Sequence, residues 1–422
     1  MSGLLNFIQD SIGPIASKIA NQKHLVAIRD GLVLIMPLTI VGSIFIIIGE
    51  FPIPAYQEFM LGVFGETFWG GFVWGVAFPA TMGISAIVAV FGVAYSFVKN
   101  QNIDGLPAGA IALASYFFLL DGEEGILSYL GAEGLFVALV TGLIVGEIYC
   151  YFIKKDIVIH LPDSVPPTIM RSFVALIPSV VILFLFFGVR IGIALTPFAT
   201  IHNLIMVVLQ APLMTVSNTY LGTLLPSMLN SILWTFGLHG DQIVGSVTGP
   251  IMTANYLANV EAFKLGLAPP FINCDGFGAI FLNFGGTGAI LGLVIACKFM
   301  CKSKTIQQIA NIGLVPSIFN ISEPIMFGLP IVLNPIMMIP FILVTFAVTT
   351  VAYLAFALKL VAPIIVSPPW TTPIFASGFL ATGGDWRAIV LQLVLLVIAF
   401  AIYFPFVKYV DNDYLKKEKG EQ

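Results

Sequence analysis

Charge is what this sequence has least of. Of its 422 residues only 9% are Asp, Glu, Lys or Arg, against 58% that are hydrophobic, whereas an ordinary soluble domain carries about 25% charged residues. So few charges cannot cover a water-facing surface, which excludes a soluble protein with a large core and makes lipid the solvent for much of the exterior. A net charge of −4 offers no basic surface to a polyanion, so nucleic acid is excluded as a partner. Cysteine is scarce as well. Cys150, Cys274, Cys297 and Cys301 stand in or beside apolar segments; the last two could share a helix face, but two thiols without a nearby histidine make neither a metal site nor a disulfide framework. No glycine-rich phosphate loop ending in Lys-Ser/Thr occurs, and no soluble segment is large enough for an ATPase, so the chain does not hydrolyse ATP itself and no cofactor is expected. The opening residues also lack the basic start, compact apolar stretch and small-residue cleavage site of a cleavable signal peptide.

What is present is a series of long apolar runs. Leu4, Leu5, Ile8, Ile12, Ile15 and Ile19 recur every three or four residues, with Asp10, Lys18 and Lys23 on other faces; this predicts an amphipathic helix on a membrane surface leading into the first span. A spanning helix needs about 20 predominantly apolar residues, and five such runs are read in the first half, at 32–48, 71–98, 105–120, 132–153 and 172–195. The third is short and carries Pro107. Lys18, Lys23 and Arg29 precede the first run, Lys99 follows the second, and Lys154, Lys155 and Arg171 follow the fourth, whereas the loop after the third is Asp121-Gly122-Glu123-Glu124. The bias of Lys and Arg to alternate loops places the N-terminus in the cytoplasm. Lys298, Lys302, Lys304, Lys408 and the Lys416–Lys419 tail mark later cytoplasmic ends, the C-terminus among them. Arg190, inside the fifth run, is expected either to snorkel to the interface or to pair with a carboxylate such as Glu147.

The second half has another texture. Residues 197–218 read as an interfacial connector, and spans are read at 220–236, 289–300, 336–358 and 388–406. Between them, 237–250, 268–288 and 309–335 are rich in Gly, Pro and Asn yet mostly apolar. Irregular backbone cannot face lipid, because each unpaired N–H or C=O there is costly; it is tolerated where it lines a wet cavity, as in the re-entrant hairpins of transporters. The expected division is a regular scaffold over 1–198, an amphipathic connector over 199–218 and a pathway-building domain over 219–422.

Two stretches carry chemistry. Between Lys264 and Lys359, outside the Lys298–Lys304 cluster, only Asp275 and Glu323 are charged, and an ionisable side chain inside a membrane segment is a functional candidate. Glu323 stands in Asn320-Ile321-Ser322-Glu323-Pro324-Ile325-Met326-Phe327-Gly328, where Ser322 is expected to cap a helix and Pro324 suits its first turn. The second stretch is Trp234-Thr235-Phe236-Gly237-Leu238-His239-Gly240-Asp241. Its glycines let the backbone turn and approach a ligand, and Asp241 is placed to orient or charge the His239 imidazole. Trp234 and Trp370 offer faces on which sugar rings stack; Asn273, Asn283 and Asn334 offer neutral hydrogen bonds. Few charges among many amides, hydroxyls and aromatics favour a neutral polyhydroxy ligand over an ion or a phosphate.

These two stretches, with Asn21-Gln22-Lys23-His24-Leu25 and Arg29-Asp30-Gly31, resemble the membrane (IIC) components of the sugar phosphotransferase system, in the lactose/cellobiose/diacetylchitobiose branch. The resemblance covers essentially the whole chain. It implies an all-α polytopic homodimer in the bacterial inner membrane, with about ten transmembrane helices, two re-entrant hairpins and a two-part, elevator-type architecture. It implies that His239 and Glu323 line the sugar site with catalytic roles, and that Trp234, Trp370, Asn283, Asn320 and Gly83 are further substrate-binding neighbours. It implies transport of a β-linked disaccharide, cellobiose or diacetylchitobiose-like, phosphorylated at its 6-hydroxyl by a phosphocysteine on a separate soluble IIB, itself fed by IIA and the general phosphocarrier proteins. On that reading Glu323 hydrogen-bonds or deprotonates the hydroxyl while His239 orients it. The competing expectations are a cation-coupled secondary sugar transporter using Glu323 and His239 as a proton relay, and a non-transporting sugar sensor.

Overall fold

The computed structural model describes residues 18, 21–49, 53–65, 71–120, 129–162, 165–329, 331–332 and 334–419. The amphipathic helix expected before Lys23 and the acidic loop 121–124 lie outside the described residues. Among the described residues the secondary structure is helical, with no strand. Helices α1 (Lys23–Val33), α2 (Met36–Gly49), α3 (Ser85–Lys99), α4 (Leu106–Leu119), α5 (Leu135–Lys154) and α6 (Leu176–Ala194) form the first half. The second half holds α7 (Tyr220–Thr235), α8 (Gly240–Lys264), α9 (Ile290–Met300), α10 (Lys304–Ile318), α11 (Glu323–Gly328), α12 (Pro335–Ala357) and α13 (Trp386–Glu418).

Among the described residues six helical stretches are long and apolar enough to cross a membrane: Lys23–Gly49, Phe72–Lys99, Ala132–Lys154, Ile169–Ala194, Ile336–Ala357 and Trp386–Glu418. A seventh arises if Ile201–Ser217 and Tyr220–Thr235, bent by 74°, are one broken span. Leu106–Leu119 and Ile290–Met300 are apolar but short, below the roughly 20 residues a straight crossing needs.

The scaffold packs through small residues. A Cβ added at Gly31 would lie 2.6 Å from Val93, one at Gly142 2.9 Å from Val93, and one at Gly146 2.7 Å from Phe97, so α1 and α5 press against α3 where no side chain intervenes, the usual geometry of close membrane-helix contact. At one end of this bundle Glu147 accepts from both Lys23 and His24, the latter at 2.7 Å. Arg190 therefore does not pair with Glu147. Its guanidinium donates to the carbonyls of Phe118, at 3.1 Å, and Leu120, at the C-terminal end of α4, where unpaired carbonyls attract a cation.

Helix α8 corrects the expectation of irregular backbone over 237–250: its 25 residues run unbroken from Gly240 with Pro250 inside. Glycine and proline propensities are overridden because the helix is buried on several sides and its polar residues are used. Asn255 and Asn259 are fully buried. Asn255 donates to Ser217 Oγ at 3.0 Å and the Asn273 carbonyl at 2.6 Å. Asn259 accepts from the Phe271 N–H at 2.8 Å and donates to the carbonyls of Phe271 and Ile364 at 2.8 and 3.1 Å. These amides pair backbone groups of the irregular 268–288 segment, which lipid could not do. Asn259→Ala is expected to destabilise the fold by about 3 kcal/mol, from three buried backbone groups losing their partner. The check is the thermal unfolding midpoint in detergent, and a midpoint equal to that of the unaltered protein would remove this role.

The 309–335 region is a helix–turn–helix: α10 rises to a turn at Phe319–Asn320, and α11 begins at Glu323. Its base is held by the last helix. The buried Asp411 carboxylate accepts from the N–H groups of Lys302 and Ser303 at 2.8 to 3.0 Å, and Glu418 accepts from the Ser303 and Thr305 hydroxyls at 2.7 and 2.8 Å. Two carboxylates thus sit at the N-terminus of α10, where the helix dipole favours them.

Candidate functional site

A cavity of about 670 Å³ lies within the second half. Thr223, Ser227, Asn230 and Trp234 of α7 line one wall and Asp241, Gly245, Thr248, Gly249 and Met252 of α8 another; apart from the adjacent pair Thr248–Gly249 they recur every three or four residues, and so lie on one helix face. The 273–287 segment, the α10–α11 turn and Trp370 complete it.

His239 stands in the short connector between the two walls. Gly237 takes φ +76° to make the turn, a conformation that favours glycine, and His239 occupies the N-cap position of α8 without capping it. Its imidazole makes no hydrogen bond among the described residues and packs at 4.5 Å, centroid to centroid, from the Trp234 indole. The expected pairing with Asp241 does not occur. Asp241 accepts instead from Asn230 Nδ2 at 2.6 Å, Trp234 Nε1 at 2.8 Å and Thr287 Oγ1 at 2.7 Å. A buried indole N–H needs an acceptor, and Trp234, 6% exposed, finds it here.

Glu323 is the first residue of α11, with Pro324 in the first turn. Ser322 does not cap this helix with its side chain; its carbonyl accepts from the Ile325 and Met326 N–H groups at 3.0 and 2.9 Å. Glu323 is exposed toward the cavity, and among the described residues it has neither hydrogen-bond partner nor ion pair. The loop facing it must come close: a Cβ on Gly286 would lie 2.3 Å from Ser322 Cβ, and Gly286 has φ +101°.

Asn320 holds the tip together. In the left-handed region at φ +64°, its Oδ1 accepts from the Gly285 N–H at 2.8 Å and its Nδ2 donates to the carbonyls of Trp370 at 2.5 Å and Thr372 at 3.3 Å. One amide therefore ties three loops. Asn283 ends a π-helical turn, Gly278–Leu282, and lines the cavity; Trp370 also lines it and is 53% exposed. The cavity thus brings together six of the seven expected residues: His239, Glu323, Trp234, Trp370, Asn283 and Asn320. Gly83 is elsewhere, in a 3-10 turn of the first half, Met82–Ile84, beside Gly131. Asn334 caps α12, accepting from Ile336 at 3.0 Å, and does not line the cavity.

Sequence reasoning did not single out Asn230 and Thr287. Asn230 stands four residues before Trp234 and shares its helix face; Thr287 sits among Gly285, Gly286 and Gly288, all at positive φ. A motif read along the chain cannot show that both converge on Asp241. Among the described residues the lining holds three carboxylates, Asp241, Asp275 and Glu323, and no Lys or Arg, which suits a neutral ligand and repels a phosphorylated one.

Residues 29–345 match the family model described as "Phosphotransferase system, EIIC". The chain is 40% identical to the lichenan permease IIC component of Bacillus subtilis (strain 168), over 99% of this chain and 96% of the relative. It is 41% identical to the cellobiose-specific EIIC component of Geobacillus stearothermophilus, over 100% and 97% respectively. Its structure resembles that of the transporter ChbC, the IIC component of an N,N'-diacetylchitobiose-specific phosphotransferase system, at a TM-score of 0.94, with 37% identity and coverage of 99% of this chain and 100% of the other. A helical membrane protein matched over its whole length in this way belongs to the EIIC family of the phosphotransferase system.

Proposed function

We propose that this chain carries a β-linked disaccharide, cellobiose or diacetylchitobiose-like, across the bacterial cell membrane and presents its 6-hydroxyl to the phosphocysteine of a separate IIB protein, which IIA and the general phosphocarrier proteins recharge. The observation that carries this reading is the state of His239 and Glu323. Both face one cavity, and among the described residues neither has a hydrogen-bonding partner and no Lys or Arg lines the site. A neutral hydroxyl suits such groups. Glu323 accepts the hydroxyl proton and His239 orients the oxygen, while Trp234 and Trp370 flank the rings, Asn283 contacts hydroxyls and Asn320 positions the loops. After transfer, the carboxylates at the Trp234–Asp241 end disfavour the product's phosphate, which opposes its return.

The finer architecture belongs to the same proposal. Residues 1–198 form the scaffold and homodimer contact, 199–218 the connector, and 219–422 the part that moves, in an elevator motion with about ten helices, two re-entrant hairpins and both termini cytoplasmic. The 74° break between Ile201–Ser217 and Tyr220–Thr235 supports a mechanical boundary there, and the Lys/Arg bias supports the orientation.

Uptake of radiolabelled cellobiose and diacetylchitobiose into proteoliposomes tests the reading. With a matched IIB, IIA and phosphoenolpyruvate-driven relay in the lumen, sugar phosphate is expected to accumulate; without the relay, none. Free sugar accumulating on a proton gradient, indifferent to the relay, would instead establish a cation-coupled transporter.

A further inference from the structure

The cavity is longer than a disaccharide requires. Along α7 its lining runs from Trp234 back to Gly222, twelve residues or about 18 Å at 1.5 Å per residue. Along α8 it runs from Asp241 to Met252, eleven residues or about 16 Å. His239 and Glu323 belong to the Trp234–Asp241 end. At the other end the Asp275 N–H donates to the Met252 carbonyl at 3.0 Å, which fixes that carboxylate far from the reacting groups. Two linked pyranose rings seated against Trp234 and His239 do not reach it.

The far end has its own chemistry. Asp275 is exposed and lines the cavity with Thr223 and Asn273. Among the described residues no cation lies within 4.0 Å of its carboxylate, and no side chain donates to it. The backbone N–H of the adjacent Gly276 is directed to it, and a carboxylate without a cation in a membrane-embedded half is costly to keep. The space beside it is also kept open: a Cβ added at Gly245, Gly249 or Gly278 would meet no atom within 4 Å, so both the α8 wall and the loop are thinned where they face the cavity. A carboxylate accepts two hydroxyl protons at once, and charge-assisted bonds of this kind are the strong ones; it rejects a phosphate.

We propose, resting on the function given above, that the far end is an extension subsite in which Asp275 reads the hydroxyls of a third ring of a β-linked oligosaccharide. The 6-hydroxyl to be phosphorylated stays at His239 and Glu323, on the first ring.

Isothermal titration of the purified protein with cellobiose and with cellotriose tests this. Cellotriose is expected to bind about tenfold tighter, the weight of one charge-assisted contact. Asp275→Asn is expected to bring cellotriose down to the affinity of cellobiose and to leave cellobiose unchanged within twofold. Gly249→Met, which fills the far half from a helical position with free space, is expected to do the same without removing any polar group. Equal affinity of the unaltered protein for the two sugars overturns the subsite while leaving the disaccharide reading intact; no binding of either overturns both. Variants that weaken both sugars equally, or cellotriose binding that requires sodium, would assign Asp275 to the disaccharide site or to a cation and overturn the extension.

Discussion

Glu323→Gln is expected to leave sugar affinity within a few-fold and to slow sugar phosphorylation by about 100- to 10,000-fold, the range a positioned general base contributes. Glutamine matches glutamate in shape and keeps a hydrogen-bonding oxygen, so loss of the proton acceptor is the principal change. Among the described residues nothing competes for that oxygen: Glu323 opens α11, faces the cavity and has no side-chain partner. The separation of binding from rate is decisive, because a merely structural role would move both. It is measured by titration with cellobiose and by single-turnover transfer from phosphorylated IIB, and a variant phosphorylating at the unaltered rate would remove Glu323 as base.

Asp241→Ala is expected to have the largest effect on binding, although Asp241 contacts His239 through no hydrogen bond. Its two oxygens receive three donors, from Asn230, Trp234 and Thr287, whose residues are 8%, 6% and 5% exposed. Each buried donor left unpaired costs about 1–3 kcal/mol; two of the three belong to α7 and the third to the glycine loop. Freed of its acceptor, the Trp234 indole no longer holds the plane against which His239 packs at 4.5 Å. Sugar affinity is expected to fall about 100-fold and the thermal midpoint to drop with it, a loss of about 2.7 kcal/mol in binding alone. Asp241→Asn is expected to be little better, because its NH₂ would face a donor. Unchanged affinity in either variant would show that the network is not what shapes the site.

The outer helices and the two stretches that meet at the cavity stood out along the chain because lipid-facing segments must be apolar over about 20 residues, and a lone carboxylate is conspicuous in such a background. Hydropathy runs at 71–98, 132–153 and 336–358 agree with the helices found to within a few residues. Helix α8 was not legible, because a helix surrounded by protein has no need to be apolar. Its Asn255 and Asn259, which look like loop residues in sequence, are the partners of backbone elsewhere. The partner of Asp241 was misjudged in the same way. Two residues along the chain lies His239; the actual donors come from 11, 7 and 46 residues away, a separation no local pattern encodes. Arg190 donates to the carbonyls that end α4, and Glu147 pairs with Lys23 and His24 instead; a helix end is an acceptor that composition does not reveal.

The open glycines of the cavity wall set an evolutionary gradient. Gly245 and Gly249 lie within a helix and face empty space, and exchanging such a glycine for alanine gains about 1 kcal/mol of helix propensity. Every such step would both stabilise the protein and narrow its chamber. Width is therefore held against the drift that stability alone would drive, and a lineage that ceased to meet bulky substrates would be expected to lose it one methyl group at a time, with no change to the reacting end.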